Sequence, residues 1–343
     1  MNDNFDFNPN EIVMTEEEKK AHRSTFSKLC LSFVAYLAIV EVLVVVAGII
    51  LKAYFPELLS DYNASIVISS VIQYAIAFPP FVMLIRKIPA HPPQKNTLSA
   101  NRIWKYAAVS MFFMYVGNYI STMIMTYMEL GMGNVPENSV DTLLTNTNVL
   151  LSIAIVGIIG PIIEELMFRK LFIDRLTPYG EAVAILFPSL MFGLFHGNLY
   201  QFFYAFLLGV AFSYVYIKSG KIIYSTVFHI FINLFCGVFP SVIMGMLDLD
   251  ELMKLAAEGA ITDEYIEANL LPLTLFGIYE VVFFALVFAG IFMFSRNLKN
   301  IKLNKGEVKL PKGEGGAIMF FNVGAVVLIT YCIVTIALNT FAV

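Results

Sequence analysis

The chain has 343 residues, 58% of them hydrophobic and 14% charged, with a mean hydropathy of +0.75 and a formal net charge of −4. Soluble domains carry roughly a quarter charged residues, so this composition belongs to the membrane class. No basic patch lies outside short loops, and no nucleic-acid partner is expected.

The chain opens on acids, Asp3, Asp6, Glu11, Glu16, Glu17 and Glu18, and turns basic at Lys19, Lys20, Arg23 and Lys28. Residues 1–28 therefore read as a cytoplasmic tail, disordered through its acidic part and then basic. A cleavable signal is not expected, because no basic start runs straight into a short apolar region. Residues 29–343 read as one transmembrane domain. A helix crossing a hydrocarbon layer of about 30 Å needs about 20 mostly apolar residues. Apolar runs over 29–54, 64–85, 103–127, 148–168, 181–197, 199–217, 221–246, 272–295 and 316–341 predict nine such helices. None shows the alternation of barrel strands. The expected fold is all-α, a polytopic transmembrane helix bundle of about nine spans. Pro79-Pro80 is placed to kink the second span and Gly160-Pro161 to break the fourth. Cys30, Cys236 and Cys332 read as small buried apolar residues rather than a disulfide or zinc framework.

With the N-terminus inside, all of the 22 basic residues except Lys52 and Lys254 fall in or beside the inner loops. The basic-free loop 128–147 and the acid-rich loop 247–271 fall outside. Neither is long enough for a catalytic domain, so the chemistry is expected within the membrane or at its surface.

Ionisable side chains inside spans are costly and therefore functional candidates. Glu41, Glu164, Glu165, Glu280, His196 and His229 qualify; His22 and His91 lie in basic loops and read as solvated. Glu41 and Glu280 lack partner motifs and read as hydrogen-bonding groups between neighbouring helices. The others cluster on spans four, five and seven, in Glu164-Glu165 with Arg169, Phe192 with His196, and His229 with Asn233. Each i, i+4 spacing puts its end members on one helix face. Glu165 is thus paired with Arg169, while Glu164, about 100° round the helix, is free to act. Counted from the adjacent turns at roughly 1.5 Å per residue, Glu164 lies about 20 Å deep, His196 about 24 Å and His229 about 13 Å. The groups meet only if the helices tilt or start at staggered depths.

A carboxylate desolvated among apolar helices is a competent general base for water, and a neutral histidine can orient that water. The second histidine and Asn233 can donate to the oxyanion of a tetrahedral intermediate. Two other readings use the same residues: a buried polar network in a catalytically inactive scaffold or regulator, and a proton-coupled transporter with a Glu/His relay. A transporter would usually show two related halves, and none is visible.

In this order the three motifs resemble the CPBP (CAAX protease and bacteriocin-processing, Abi) family of membrane proteases, relatives of the type II CAAX prenyl endopeptidase. That family is marked by EExxxR, FxxxH and HxxxN/D helices. All seven positions match here, Glu164, Glu165, Arg169, Phe192, His196, His229 and Asn233, within a signature region at 148–245. The resemblance implies an intramembrane endopeptidase in which Glu164 and His196 activate the water and His229 and Asn233 hold the oxyanion. Glu165, Arg169 and Phe192 would support them. The family is often labelled a metalloprotease, so zinc on His196, His229 and Glu164 is an alternative. The chain has no HExxH, and a metal-free mechanism is the simpler reading. The implied partners are the lipid bilayer and a peptide or membrane-anchored protein substrate, expected to enter from the cytoplasmic side. The implied location is a bacterial cell membrane, as a multi-pass protein.

Overall fold

The computed structural model describes residues 14–133 and 138–341. The acidic segment 1–13 lies outside them. At Thr15 a capping box starts the first helix: the Thr15 hydroxyl accepts from the Glu18 N–H at 3.2 Å, and the Glu18 carboxylate accepts from the Thr15 N–H at 2.8 Å. Glu16, Glu17 and Glu18 fill its first turn, where acids complement the helix dipole. The tail reading is corrected for these three residues: they begin a helix rather than end a disordered segment.

Helix α1 spans Glu16–Tyr54, α2 Tyr62–Ile85 and α3 Ala100–Met132. A short α4, Ser139–Asn146, precedes α5, Val149–Tyr179. Then come α6, Glu181–Phe195, α7, Leu199–Ser219, and α8, Ile222–Met244. Two short helices, α9 (Leu249–Glu258) and α10 (Asp263–Ala268), lead to α11, Leu270–Asn300. The chain ends in α12, Gly315–Phe320, and α13, Val323–Phe341. Among the described residues, eight helices are long and apolar enough to cross a membrane. The exception among the nine predicted runs is α6, whose 15 residues reach only ~22 Å. No strand forms among the described residues, only a bridge between Gly180 and Lys305.

The connections gather into two layers. In one, Lys19 pairs with Glu314 at 2.8 Å, His22 meets Tyr179 at 3.0 Å, and Asn96 N–H donates to Ser219 at 2.6 Å. Glu181 joins Lys218 at 2.5 Å and the Asn304 backbone at 3.0 Å in the same layer. In the other, Asn148 N–H donates to Asn63 at 2.7 Å and Asn339 donates to the Gly197 carbonyl at 2.9 Å. Among the described residues, eight of the helices joining these layers are long and apolar enough to cross a membrane, and α6 is the short one beside them. The first holds the Lys- and Arg-bearing loops and is called the basic layer below; the second is the acidic layer. Two of the basic residues counted with the inner loops are buried inside the bundle. Arg169 is wholly buried, and Arg175 is buried with its Nε donating to the Ile85 carbonyl at 2.7 Å.

Three π-helical stretches sit immediately before prolines. Val71–Ala77 leads to Pro79, Ser152–Ile159 to Pro161 and Asn233–Val238 to Pro240. Proline has no N–H and its ring crowds the carbonyl four residues back. The wider turn relieves both: Phe78, Gly160 and Phe239 donate five residues back, to Gln73, Ile155 and Leu234. Gly160-Pro161 therefore changes the pitch of α5 without breaking it.

An aromatic core binds α1, α2, α5 and α6. Phe33 meets Phe168 at 5.5 Å and Phe81 at 6.3 Å between ring centroids, and Phe168 meets Phe192 at 5.1 Å. Glu41 behaves as expected of a helix–helix hydrogen-bonding group, accepting from the Tyr331 hydroxyl of α13 at 2.8 Å. The three cysteines are free. Helices α3 and α7 cross so closely that a Cβ on Gly117 would fall on the Tyr204 backbone. Gly117→Ala is expected to destabilise the protein by about 1–3 kcal/mol through overpacking, read as a lowered melting temperature in detergent.

Candidate active site

Glu164 and Glu165 lie on α5 between two π-helical stretches, and Arg169 one turn further on. Glu165 and Arg169 are both wholly buried, with Nε 3.3 Å from Oε1. The i, i+4 spacing makes this pair within one helix, and the opposite charges offset part of each other's desolvation. The guanidinium also lies 4.4 Å from the Phe192 ring centroid and 5.4 Å from that of Phe212. These ring faces compensate a cation whose guanidinium nitrogens find no hydrogen-bond acceptor among the described residues.

Two histidines are oriented by what lies behind them. The Phe192 carbonyl, 2.8 Å from Nδ1 of His196, only accepts, so Nδ1 carries the hydrogen and the neutral ring presents the Nε2 lone pair. His196 caps the end of α6, which makes the FxxxH spacing a backbone-to-imidazole contact. For His229, Nδ1 lies 3.0 Å from Glu165 Oε1. With that carboxylate held by Arg169, Nδ1 is the donor and Nε2 turns outward, 3.6 Å from Glu164 Oε2. Asn233 stands one turn beyond His229, its amide donating to the Val156 carbonyl at 2.9 Å. Among the described residues, its second amide hydrogen and its carbonyl have no partner.

Glu164, Phe192, His196, His229 and Asn233 all line one cavity of about 720 Å³, whereas Glu165 and Arg169 stand behind its wall. The depth problem posed by the helical rise resolves locally. The π-helical stretch Leu166–Ile173 fits more residues into each unit of axial length of α5, and α6 has only 15 residues. Access differs from expectation. The cavity reaches Ser65, Asn138, Asp141, Thr145 and Ser241, all from the acidic layer. Towards the basic layer, α5 is sealed by the fully buried Phe168, Phe172, Ile173 and Leu176. The cavity thus opens towards the acidic layer, whereas the sequence leads one to expect entry from the basic layer: EExxxR lies nearer the basic layer in sequence but is separated from it by this packing. At the cavity rim, burial raises the Asp141 carboxyl above the usual carboxylate range, against the opposing hydrogen bond from Asn138.

Sequence reasoning passed over Gln73, Tyr74, Asn118, Gln201 and Tyr204, which share the cavity. The Tyr74 hydroxyl lies 3.1 Å and Glu164 Oε1 3.8 Å from the point a Cβ on Gly160 would occupy. Gly160 thus makes room for a phenol close to the candidate base. A scan for uncharged polar side chains inside apolar runs would have found these five; one for ionisable groups does not.

The zinc alternative fits less well. Among the described residues, no group of three or more His, Cys, Asp or Glu side chains converges as a metal site. The Nδ1 contact with Glu165 leaves the His229 Nε2 lone pair facing Glu164, an orientation a zinc ligand would share, so what counts against zinc is the lack of a converged group of three. No step below is routed through a metal.

An all-α bundle of apolar helices long enough to cross a membrane, with a carboxylate, two imidazoles and a carboxamide lining one cavity, defines a polytopic membrane protein. Residues 146–235, which hold all three motifs, match the family model described as type II CAAX prenyl endopeptidase Rce1-like. The match falls on the part of the chain that carries the motifs, and its description agrees with the resemblance read from them. The chain is 26% identical over 170 residues to "Putative membrane peptidase YdiL" of Bacillus subtilis (strain 168), covering 48% of this chain and 68% of that protein. It is 29% identical over 147 residues to UPF0177 protein YxdF of Lactococcus lactis subsp. lactis (strain IL1403), covering 42% of this chain and 81% of that protein. No solved structure matches.

Proposed function

We propose that the protein is an intramembrane endopeptidase that hydrolyses a peptide bond of a membrane-associated protein or peptide with an activated water. The observation that carries this reading is the convergence of Glu164, His196, His229 and Asn233, from three helices, on one cavity. Glu164 takes a proton from a water that the His196 Nε2 orients, and the resulting hydroxide adds to the scissile carbonyl. The free amide hydrogen of Asn233 and, in its protonated form, the Nε2–H of His229 donate to the oxyanion. Glu164 then returns its proton to the departing amine as the C–N bond breaks, giving a carboxylic acid whose proton passes to the amine, so that the products are a carboxylate and an ammonium group. Glu165, Arg169 and the Phe192 carbonyl position the two imidazoles. The expected setting is a bacterial cell membrane with the basic layer cytoplasmic and nine spans.

The test is cleavage of membrane-anchored peptides by the purified protein in detergent, comparing wild type with His196→Ala, with and without chelator. Loss of cleavage in the variant and indifference to chelator support the reading; equal behaviour of both proteins across a broad peptide library counts against it. Asn233→Ala is expected to lower kcat by about 10²–10³, as removal of one oxyanion donor does, with KM little changed. A loss confined to KM would instead make Asn233 a substrate-binding group.

A further inference from the structure

A second cavity, of about 690 Å³, lies between α3, α6, α7 and α11. It shares no lining residue with the first. Its body is apolar, lined by Val109, Phe113, Leu186, Val210 and Phe294, and its mouth carries Arg102, Lys105, Lys218 and Lys302. Charge and apolarity are thus separated along one axis. On α3, Arg102 and Phe113 are eleven residues apart, which is ~16 Å of helix and about half the ~30 Å hydrocarbon layer.

We propose that this groove binds one anionic phospholipid, with an acyl chain along Val109, Phe113 and Leu186 and the phosphate among the four cations. Several observations favour a lipid over a free anion. The groove spans a single leaflet in depth, and Leu186 in its wall is 52% exposed, so the wall opens sideways to the acyl region. Tyr106 and Tyr214 stack edge to face at 5.8 Å near the mouth, where aromatic side chains with polar tips suit the membrane–water boundary. The charge favours an anion. Lys218 is paired with Glu181 at 2.5 Å, but no acidic partner of Arg102, Lys105 or Lys302 is found among the described residues. Clustered cations between transmembrane helices are suited to anionic headgroups. The inference does not depend on the proposed protease activity.

The test is lipid binding to the purified full chain in dodecyl maltoside, by native mass spectrometry and thermal shift. Phosphatidylglycerol is compared with phosphatidylcholine of the same chains and with glycerol 3-phosphate, which has the phosphate but no chain. Phosphatidylglycerol is expected to be retained and to raise the melting temperature, phosphatidylcholine to bind more weakly, and glycerol 3-phosphate to have no effect. Arg102→Gln with Lys105→Gln should weaken phosphatidylglycerol by ~30-fold, at about 1 kcal/mol per cation. Ala182→Trp, on an exposed residue of the groove wall, should displace the chain with every cation intact. Equal binding of the two lipids, wild-type phosphatidylglycerol binding by both variants, or glycerol 3-phosphate binding as tightly as the lipid would each overturn the proposal.

Discussion

Glu164→Gln is expected to reduce peptide cleavage by about 10²–10⁴, the range general-base catalysis supplies, while leaving the melting temperature within about 1 °C of wild type. The two halves of that expectation have separate physical grounds. Glutamine keeps the shape of glutamate but cannot take the proton of the water. The stability of the fold does not rest on this carboxylate: its one ion-pair contact among the described residues is His229 Nε2 at 3.6 Å, and its side chain is 15% exposed to the cavity. Single-turnover cleavage with an intact elution profile is the measurement. Turnover near wild type would remove Glu164 from the chemistry, leaving His196 as the remaining base. Loss of fold without specific loss of turnover would favour the scaffold reading of the same residues.

The bundle and the grouping of Glu164, His196, His229 and Asn233 around one cavity were legible because both rest on strong one-dimensional signals. Apolar runs of membrane-spanning length mark the helices, and i, i+4 spacing marks which side chains share a face. The pairing of Glu165 with Arg169, leaving Glu164 to the cavity, follows from that spacing alone. Other features depend on three-dimensional detail the spacing does not carry. A uniform rise of about 1.5 Å per residue does not hold between Glu164 and the turn at 177–180, because the π-helical stretch Leu166–Ile173 lies between them. The side from which the cavity is reached was misjudged, since it depends on four fully buried side chains of α5 filling one end. The run 316–341 was read as one helix, yet it divides near Asn322, whose Oδ1 accepts the Ala325 N–H at 3.0 Å and starts α13 afresh. Tyr74 was missed because a phenol on an apolar helix looks like packing until Gly160 is seen to make room for it.

The Glu165–Arg169 pair carries the second large expected effect, and it is one of stability. Both side chains are wholly buried, in a protein whose surroundings are apolar, so removing either leaves an uncompensated charge. Arg169→Met and Glu165→Gln are each expected to cost about 3–5 kcal/mol, the range for breaking a buried pair. The two losses differ in kind. Without Arg169, Glu165 keeps its contact with His229 Nδ1 at 3.0 Å. Without the Glu165 carboxylate, the guanidinium keeps only the faces of Phe192 and Phe212. In the double variant no formal charge is stranded, and its loss should fall short of the summed singles by at least ~1.5 kcal/mol, within the range seen for coupled neighbours. Equilibrium unfolding in mixed detergent across the four proteins gives the cycle directly. Additive losses would mean that the cation is held by its aromatic neighbours and that Glu165 serves chiefly to orient His229. Cleavage adds an independent readout: if Glu165 acts by fixing the His229 ring, the double variant should recover stability without recovering turnover.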